Sequence, residues 1–558
     1  MTRPRLLSLI QRSAVALFIG PAIALAQPTR DSADTQPAEA RPPLPGDLSP
    51  LGAAGPSPLA QGSPRAPTGD FLPLPDRWRI GLPGNYVQNT RKGSPFDPYG
   101  QNVLKGDYPI AGQDLFFILG ATSDTLIEDR RIPVARNARG TDSLFLQENF
   151  ILSGDLFRGD AAYSPKDWEI RLTGVANGNY TRASSPPSDS SGYTLAPQEL
   201  FFDARLADLS PEFDFLSARI GIQGFTSDFR GFLFSSNEPG VRLYGTADDN
   251  RLQYNFAWFA PLQKDPVSLL NKVALRKQNV VVANAYRQDF LFDGYTAQVS
   301  FAANLDQGGA QYASQTPGRH GDLTAFYLGW AGDGHIGRIN LSHQFYQALG
   351  RQTFNPIAGR GVSIDARFFA VELSYDVDFI RYRAGFVYDS GDHNPRNGHA
   401  DGFDSILDNP NFAGDGFSYF TRQALALSGT GLNLVNRNSF LPNLRTNKVN
   451  GEANFVNPGL FLYNLGADAN ITPRLTLIGN ASYLQFEDTS VLRLLLNKTN
   501  IGRDIGVDLS LGAQYRPLLN NNVILTAGAA ALLPASGVKE LYSSHLLYSL
   551  FTAVTLSY

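Results

Sequence analysis

The end of the chain carries the sequence pattern that most constrains the fold. The last thirteen residues, LLYSLFTAVTLSY, alternate between a mostly apolar set and a mostly small, hydroxylic set, and end on an aromatic residue. Counting back in twos from Tyr558, the apolar set includes Leu556, Val554 and Leu550. A period of two over this length predicts an amphipathic β-strand that can cross a bilayer at a tilt.

The same period recurs along the chain from Gln113 onward. Segments such as KDWEIRLTGVANGNY, RLQYNFAWFA, GYTAQVSFAANL and DIGVDLSLGAQYRP each put apolar and aromatic residues on one face and polar residues on the other. A helix cannot produce this period. The predicted fold class is all-β: a transmembrane, antiparallel up-and-down β-barrel of about 18 strands, within a range of about 16–20.

Connection lengths support the barrel, because short turns alternate with long polar loops. Short periplasmic turns and long extracellular loops are typical of bacterial outer-membrane barrels. The strand count is even only if 390–458 is a single excursion, and a loop of that length is far above ordinary. We therefore expect it to fold into the lumen as a constriction. The other long connections are expected at 178–196, 226–239, 261–277, 306–319, 348–363 and 487–503.

The residues before the barrel divide into three segments. Residues 1–26 have basic residues, a short apolar run and Ala24-Leu25-Ala26, which predicts a secretory signal peptide. Residues 27–75 are rich in Pro, Ala, Gly and Ser, which predicts a disordered periplasmic linker. Residues 76–112 contain aromatics without a period, and we expect them to pack at or in the barrel, which spans 113–558.

Composition excludes several classes of protein. A formal charge of -4 leaves no footprint for nucleic acid. The absence of Cys fits export through an oxidising compartment and excludes a lipoprotein anchor. Beyond the N-terminus, no stretch approaches the roughly 20 apolar residues of a membrane helix. No motif calls for a cofactor.

Charged residues on the polar strand faces are the candidate lumen lining. Charge on the lipid side is costly, so the period-two reading turns these side chains toward water. Bracing of the barrel wall and selection of solutes are both open as roles. The inward charges are predicted to be Glu199, Asp203, Arg205, Arg219, Arg287, Asp289, Glu372, Asp376, Arg381 and Arg383.

The sequence gives little support for a catalytic site or a metal-binding site. The six His residues include none with Ser two positions later, the pair found in outer-membrane phospholipases. The oxygen-rich loop over 389–404 could supply ligands for Ca²⁺, but its spacing lacks the EF-hand pattern, which favours an ordinary solvated loop. We predict neither an enzyme nor a metal site.

Two resemblances follow from these residues. The signal peptide, the alternating strands and the aromatic terminus resemble the porins of Gram-negative outer membranes. The stretch YDSGDHNPRNGHADGFDSI, where a strand opens into a Gly- and Asp-rich loop, is similar to the alginate-export family, whose members are barrels of about 18 strands. The second resemblance implies an oligosaccharide or polysaccharide as the solute.

The sequence therefore predicts a passive outer-membrane channel for hydrophilic solutes. Its expected partners are outer-membrane lipids and lipopolysaccharide, the barrel-insertion machinery and the solute itself. A function from another class remains open: a structural barrel that sheathes a partner such as a secreted chain or an electron-transfer cytochrome. A wide lumen without a loop constriction would favour that alternative.

Overall fold

A closed antiparallel β-barrel of eighteen strands is the main feature of this computed structural model, which confirms the predicted fold class. The predicted signal peptide and linker, and most of the 76–112 segment, lie outside the described residues. The structure describes residues 102–558 except 108, 113, 135–136, 160–165, 185–186, 211–213, 266, 309–320, 424–425, 428–431, 436–441, 446–452 and 543–544.

The barrel strands follow one another around the wall in chain order. They are β1 (Leu115–Val134), β2 (Asn137–Arg158), β3 (Trp168–Ser184), β4 (Pro187–Asp208), β5 (Phe215–Thr226), β6 (Ser235–Ala247), β7 (Leu252–Phe259), β8 (Gln278–Arg287), β9 (Tyr295–Asp306), β10 (Leu323–Ile336), β11 (Ile339–Asn355), β12 (Arg360–Val377), β13 (Ile380–Asp389), β14 (Leu460–Thr472), β15 (Leu475–Gln485), β16 (Asp504–Tyr515), β17 (Val523–Pro534) and β18 (Leu547–Ser557).

The terminal strand closes the barrel, as its amphipathic pattern predicts. It pairs with β1 from Thr122–Ser557 to Arg130–Ser549 in an unbroken antiparallel register. Leu550 and Leu556 are exposed on its outer face, on which Val554 also lies, whereas Ser549 and Thr555 are buried on the inner face. This arrangement leaves apolar side chains for lipid and hydroxyls for the interior.

Two of the expected long loops are strand instead. β3 extends to Ser184 and β4 begins at Pro187, so strand covers most of 178–196, and β11 and β12 leave only 356–359 between them. The first five residues of β4 are all exposed. Beyond the membrane both faces of a hairpin meet water, so the alternation disappears from the sequence although the hydrogen-bonded ladder continues.

Helices are few and short in the described residues, and they lie in loops: α1 (Tyr419–Arg422), α2 (Ser490–Leu496) and α3 (Ser536–Leu541). None of the helices in this part of the chain is long and apolar enough to cross a membrane. Short strands at Leu262–Lys264 and Asn271–Leu275 form a hairpin outside the barrel sheet.

Minor strands also occur within the connection between β13 and β14. They lie at His399–Ala400, Ala426–Leu427, Leu432–Val435 and Pro442–Arg445.

The described part of the pre-barrel segment packs against the C-terminal residue. The Asn102 amide donates to the Tyr558 hydroxyl over 3.0 Å, and the Lys105 ammonium lies 3.9 Å from the centre of the Tyr558 ring. The backbone of Leu104 accepts from Leu119 at 2.8 Å. These contacts join the beginning of β1 to the end of β18.

Part of the barrel interior is apolar, because two loops fold inward. We call 227–234 the short inner loop and 390–459 the long inner loop. Phe232 of the first and Phe403 of the second pack on Phe368 of β12, with ring centroids 4.9 and 5.2 Å apart. The long loop connecting β13 and β14 thus folds inward, as predicted from its length.

Candidate functional site

An ion-paired network lines the inner wall on β4, β5 and β6. The register sets Asp203 opposite Arg219, and the Arg219 Nε lies 2.7 Å from Asp203 Oδ2. The Tyr244 hydroxyl donates to the same oxygen over 2.7 Å. Phe201, two residues before Asp203, lies under the guanidinium, 4.2 Å from its carbon to the ring centre. Fixed bidentate geometry and aromatic stacking suit Arg to such a wall.

The same network continues onto β2 and β3 toward the periplasmic end. Arg171 lies 2.8 Å from Glu169 and 3.0 Å from Asp155, measured between nitrogen and oxygen atoms. Lys166, which precedes β3, lies 2.9 Å from the same Asp155 carboxylate. All four side chains are at least four-fifths buried, so these charges are paired where water is scarce.

Two predicted lumen residues on β4 flank this network. The Glu199 carboxylate accepts from the Thr173 hydroxyl over 2.7 Å. Arg205 forms ion pairs with Asp167 and Asp208 near the periplasmic end of the strand. Both share the face of Asp203, so the period-two reading of β4 agrees with the geometry.

The short inner loop is held in place by a single carboxylate. Asp228 accepts hydrogen bonds from the backbone amides of residues 230–233 at 2.7–3.2 Å, and one from the Tyr346 hydroxyl at 2.9 Å. A buried carboxylate with this many donors fixes the turn strongly. The turn directs Arg230 across the interior.

Arg230 links the short inner loop to β11 and β12. Its Nε donates to the Ser342 hydroxyl over 2.9 Å, and its Nη2 lies 3.2 Å from Glu372 and 3.8 Å from Asp333. The Arg230 and Asp333 side chains keep 27% and 24% of their surface exposed. Water therefore reaches charged groups inside the barrel.

The charged residues predicted to face the lumen from β12 and β13 form ion pairs with each other and with β14. Arg383 lies 2.8 Å from Asp468 of β14 and 3.8 Å from Glu372. Arg381 makes two bonds to Asp376, at 2.6 and 2.9 Å, close to the periplasmic turn. The two rows are adjacent because the register pairs Asp376 with Arg381.

The two inner loops are joined through their backbones. Ile406 donates to Leu233 at 3.0 Å, Ser235 donates to Leu407 at 2.7 Å, and Asn409 donates to Gly231 at 2.9 Å. Phe234 and Leu407 form a parallel bridge. The loops therefore behave as one inner layer rather than two separate excursions.

Past this junction, the long inner loop follows the wall from β13 to β1. The Phe412 ring lies against Gly385 of β13, and Phe417 packs on Phe551 of β18 at 5.7 Å between ring centres. A Cβ at Gly512 of β16 would come within 2.1 Å of the Phe417 ring. Only glycine at this position lets the loop approach so closely.

Asp508 of β16 anchors the loop at α1. Its buried carboxylate accepts from the Ser418 hydroxyl and the Phe420 amide, both at 2.7 Å, and from the Tyr419 amide at 3.3 Å. Ser418 is also the N-cap of the helix and accepts from Thr421. Two groups therefore satisfy the first amides of α1, which would otherwise be unpaired.

Glu128 of β1 receives the far end of the loop. One carboxylate oxygen accepts from Arg422 at 3.1 Å, Gln423 at 2.7 Å and Ser549 at 2.5 Å. The other lies 3.2 Å from Arg130. This site gathers two arginines around one carboxylate on the inner wall.

The entrance of the long inner loop is tied to the loop before β16. His393 lies 3.2 Å from Asp488 and 3.6 Å from Glu487. Burial raises the pKa of Glu487, whereas bonds from Ser490 and His393 outweigh burial and lower the pKa of Asp488. Burial also raises the pKa of Asp392 to about 7.

Arg287 and Asp289 are corrections to the sequence reading. Arg287 shares the outer face of β8 with Val281 and pairs with Asp248 at the periplasmic rim, not in the lumen. Asp289 lies in the following turn, where it accepts from Gly294 over 2.8 Å. Tyr286 instead points inward and packs on Phe229 of the short inner loop. The Tyr286 hydroxyl accepts from Asn284 over 3.1 Å, so this part of the interior is polar, and Arg287 can face outward because it lies at the periplasmic end of the strand.

Several residues of the site were missed by the sequence reading. Arg230, Asp228 and Arg422 lie in loops, where no period indicates a direction. Glu128 and Asp508 lie on strands, but their role depends on what the long loop brings to them. Among the described residues, no cluster of three acidic or His side chains could hold a metal ion.

The geometry gives a barrel narrowed by a fixed inner layer, with charged side chains on the remaining polar wall. Such a site can exclude solutes by size and bias them by charge. The paired charges on the wall are oriented by their register, so the local field has a fixed direction.

Comparisons with known proteins give structural neighbours only. No family model matches the sequence, and no curated protein matches it. The fold is similar to OccK7 (OpdD) of Pseudomonas aeruginosa, with 13% identity, a TM-score of 0.46 and coverage of 80% of this chain and 99% of that chain.

Two further solved structures are similar in fold. The outer membrane protein opdK of P. aeruginosa has 11% identity and a TM-score of 0.44, and a BenF-like porin of Pseudomonas fluorescens Pf-5 has 11% and 0.45. Each comparison covers 79% of this chain and 98% of the other. No residue role is transferred from them.

Proposed function

We propose that this chain is a passive channel for hydrophilic solutes in the outer membrane of a Gram-negative bacterium. The observation that carries the proposal is the inner layer, which narrows a closed barrel while charged groups such as Arg230 and Asp333 keep contact with solvent. A barrel filled for stability alone would have no use for interior charges that keep about a quarter of their surface exposed.

The outer surface supports the location. Large apolar side chains on alternate positions are exposed around the wall, for example Phe150, Trp258, Trp330 and Leu465. Exposed apolar surface of this extent marks contact with lipid or protein. Outer-membrane lipids and lipopolysaccharide are thus the proposed surroundings, and the terminal strand is the proposed signal for the insertion machinery.

The class of solute is a finer proposal. The stretch that resembles the alginate-export family forms the first part of the long inner loop. Its Asp404 backbone carbonyl accepts a hydrogen bond of 3.0 Å from the Tyr327 hydroxyl of β10. This segment therefore helps to shape the constriction. On that ground we propose an oligosaccharide or polysaccharide as the solute to be tested first.

Planar-bilayer recording tests the proposal directly. The purified full-length barrel should give discrete conductance steps, and uronic-acid or neutral oligosaccharides of a solute panel should block or reduce them. Deleting 409–447 should raise the conductance, because it removes the part of the long inner loop that follows the wall from β13 to β1. A comparison variant deletes 265–270, at the tip of the hairpin of Leu262–Lys264 and Asn271–Leu275, and should raise the conductance less.

A folded wild-type barrel without conductance would count against the channel. A conductance that does not change in the inner deletion would mean that the long inner loop does not narrow the conducting path. Heat-modifiable migration must show that each variant is folded. An equal effect of the two deletions would show that the rise in conductance is not specific to the long inner loop.

The alternative of a barrel that sheathes a partner is not favoured by a specific observation. Its requirement is a wide lumen free of a constriction, whereas residues 405–423 line the interior from β13 to β1. We propose no catalytic step and no cofactor.

A further inference from the structure

The inward charged side chains differ in hydration between two sides of the barrel. On β2, β3 and β5, Asp155, Arg171 and Arg219 lie three or four residues from the periplasmic ends of their strands, and their side chains are 9%, 6% and 3% exposed. On β10 and β14, Asp333 and Asp468 lie equally far from the periplasmic ends but are 24% and 31% exposed. A group that water hardly reaches cannot touch a solute, so only the second side offers its charges to one.

The β2 side is covered from below by the pre-barrel segment. A Cβ at Gly106 would lie 3.0 Å from the Ile118 side chain and 4.0 Å from the Phe157 ring. The register pairs Ile118 with the inward Asp155, so this contact lies inside the barrel. Lys166 covers the same ring, with its ammonium 4.1 Å from the ring centre. These side chains close the periplasmic part of the inner wall at β1 and β2.

On the other side the inner layer ends before the periplasmic mouth. The register pairs Gly385 of β13 with Asn464 of β14, and a Cβ at Gly385 would lie 3.2 Å from the Phe412 ring. Asn464 is 2% exposed at this level. Asp468 lies on the same face, four residues nearer the periplasm, and is in contact with water. The lower edge of the inner layer therefore falls between these two residues, with hydrated space below it.

We propose that the periplasmic half of the conducting path lies off the barrel axis, against β10–β14, and that Asp333 and Asp468 contact the solute there. This inference rests on the channel function proposed above. The Asp468 Oδ1 accepts from Arg383 over 2.8 Å, whereas Oδ2 has no hydrogen-bond partner in the residues that the structure describes. Ionised carboxylates only accept hydrogen bonds, so this wall suits solutes that present donors, such as the hydroxyls of a saccharide.

The ion-paired cluster on this wall also has one more carboxylate than it has guanidinium groups. Glu372 lies between Arg230 and Arg383, so neither arginine is held by the two hydrated carboxylates alone. The cluster consists of Asp333, Glu372 and Asp468 with Arg230 and Arg383, and Asp376 pairs with Arg381 below it. An excess of negative charge along a water-filled path raises the local concentration of cations.

Thiol accessibility tests the position of the path, because the sequence has no Cys. Ser374→Cys places a thiol on the inward face of β12, opposite Arg383. Ser217→Cys is the matched control on the far wall, on β5, where Ser217 is 2% exposed. A sulfonatoethyl methanethiosulfonate should label the full-length Ser374→Cys barrel and reduce its single-channel conductance, and should do neither to Ser217→Cys.

Mass spectrometry measures the labelling independently of conductance, and heat-modifiable migration must show that both variants are folded. An unreactive Ser374→Cys, labelling there without a change in conductance, or an equal block at both sites would each overturn the off-axis path. A wild type without any conductance would instead refute the channel itself.

A charge substitution tests the contact with Asp468. Asp468→Asn should shift the reversal potential in a salt gradient toward anions, most at low salt, because screening weakens the field. Asp208→Asn is the matched control, since this carboxylate is 65% exposed at the periplasmic end of β4, on the opposite wall, and it should shift the potential far less. No shift with Asp468→Asn, or an equal shift with Asp208→Asn, would place the path elsewhere.

Discussion

Asp508→Ala should release the long inner loop without opening the barrel. The carboxylate receives two hydrogen bonds of 2.7 Å and one of 3.3 Å from the start of α1. Bonds to a charged group contribute about 1.5–3 kcal/mol each, and their sum is reduced by relief from burying the charge. We expect the attachment of the loop to weaken by about 2–4 kcal/mol, which increases its detached population by roughly thirty- to a thousandfold.

Single-channel recording measures this release. A detached loop should appear as larger conductance steps and more frequent transitions between levels, with normal heat-modifiable migration. Asp508→Asn keeps one acceptor oxygen and should lie between the wild type and Asp508→Ala. Leu509→Ala, one residue on and outward, is the matched control and should leave the recordings unchanged. If Asp508→Ala recorded like the wild type, the anchor would not hold the loop.

Three further predictions address the membrane face, the charge rows and pH. Val554→Arg on the outer face of β18 should destabilise the barrel by about 2–4 kcal/mol, and normal membrane yield with normal heat-modifiable migration would contradict this. Arg381→Ala with Arg383→Ala leaves their carboxylate partners facing water, so the reversal potential in a salt gradient should shift toward cations, most at low salt; an unmoved potential would mark the two arginines as wall braces. Because the pKa of Asp392 in the folded protein is raised to about 7, the loop entrance is most stable below about pH 4 and loses that stability as pH rises through about 7. Transitions between conductance levels should therefore become more frequent over that range, and Asp392→Asn should remove the dependence; a persisting dependence would assign it to another group.

The wall of the barrel could be predicted from sequence, because lipid outside and water inside impose opposite demands on alternate residues. On β12 and β13 this rule placed Glu372 and Arg383 on one face, and the structure brings their charged atoms to 3.8 Å. The rule failed at Arg287, which lies at the periplasmic end of β8, where an outward charge meets water and pairs with Asp248. It also failed at the top of β3 and β4, where water surrounds both faces.

The sequence predicted that an inner layer exists, but not which of its side chains meet which strands. Loop length indicated that 390–458 enters the lumen, but the direction of Arg230 depends on the turn around Asp228 and on Ser342, which is 112 positions away.

The contacts of Glu128 also indicate the order in which the barrel assembles. Its hydrogen-bond donors come from positions 294, 295 and 421 residues away, in the middle and at the end of the chain. Contacts of such separation form late, because the chain between them must first be arranged. Until the final strand meets the first one and the long loop has entered, this carboxylate lacks Ser549, Arg422 and Gln423. A barrel caught before closure therefore carries at its seam a carboxylate whose charge only Arg130 of the same strand can offset, and the completed ring adds the remaining hydrogen-bond donors.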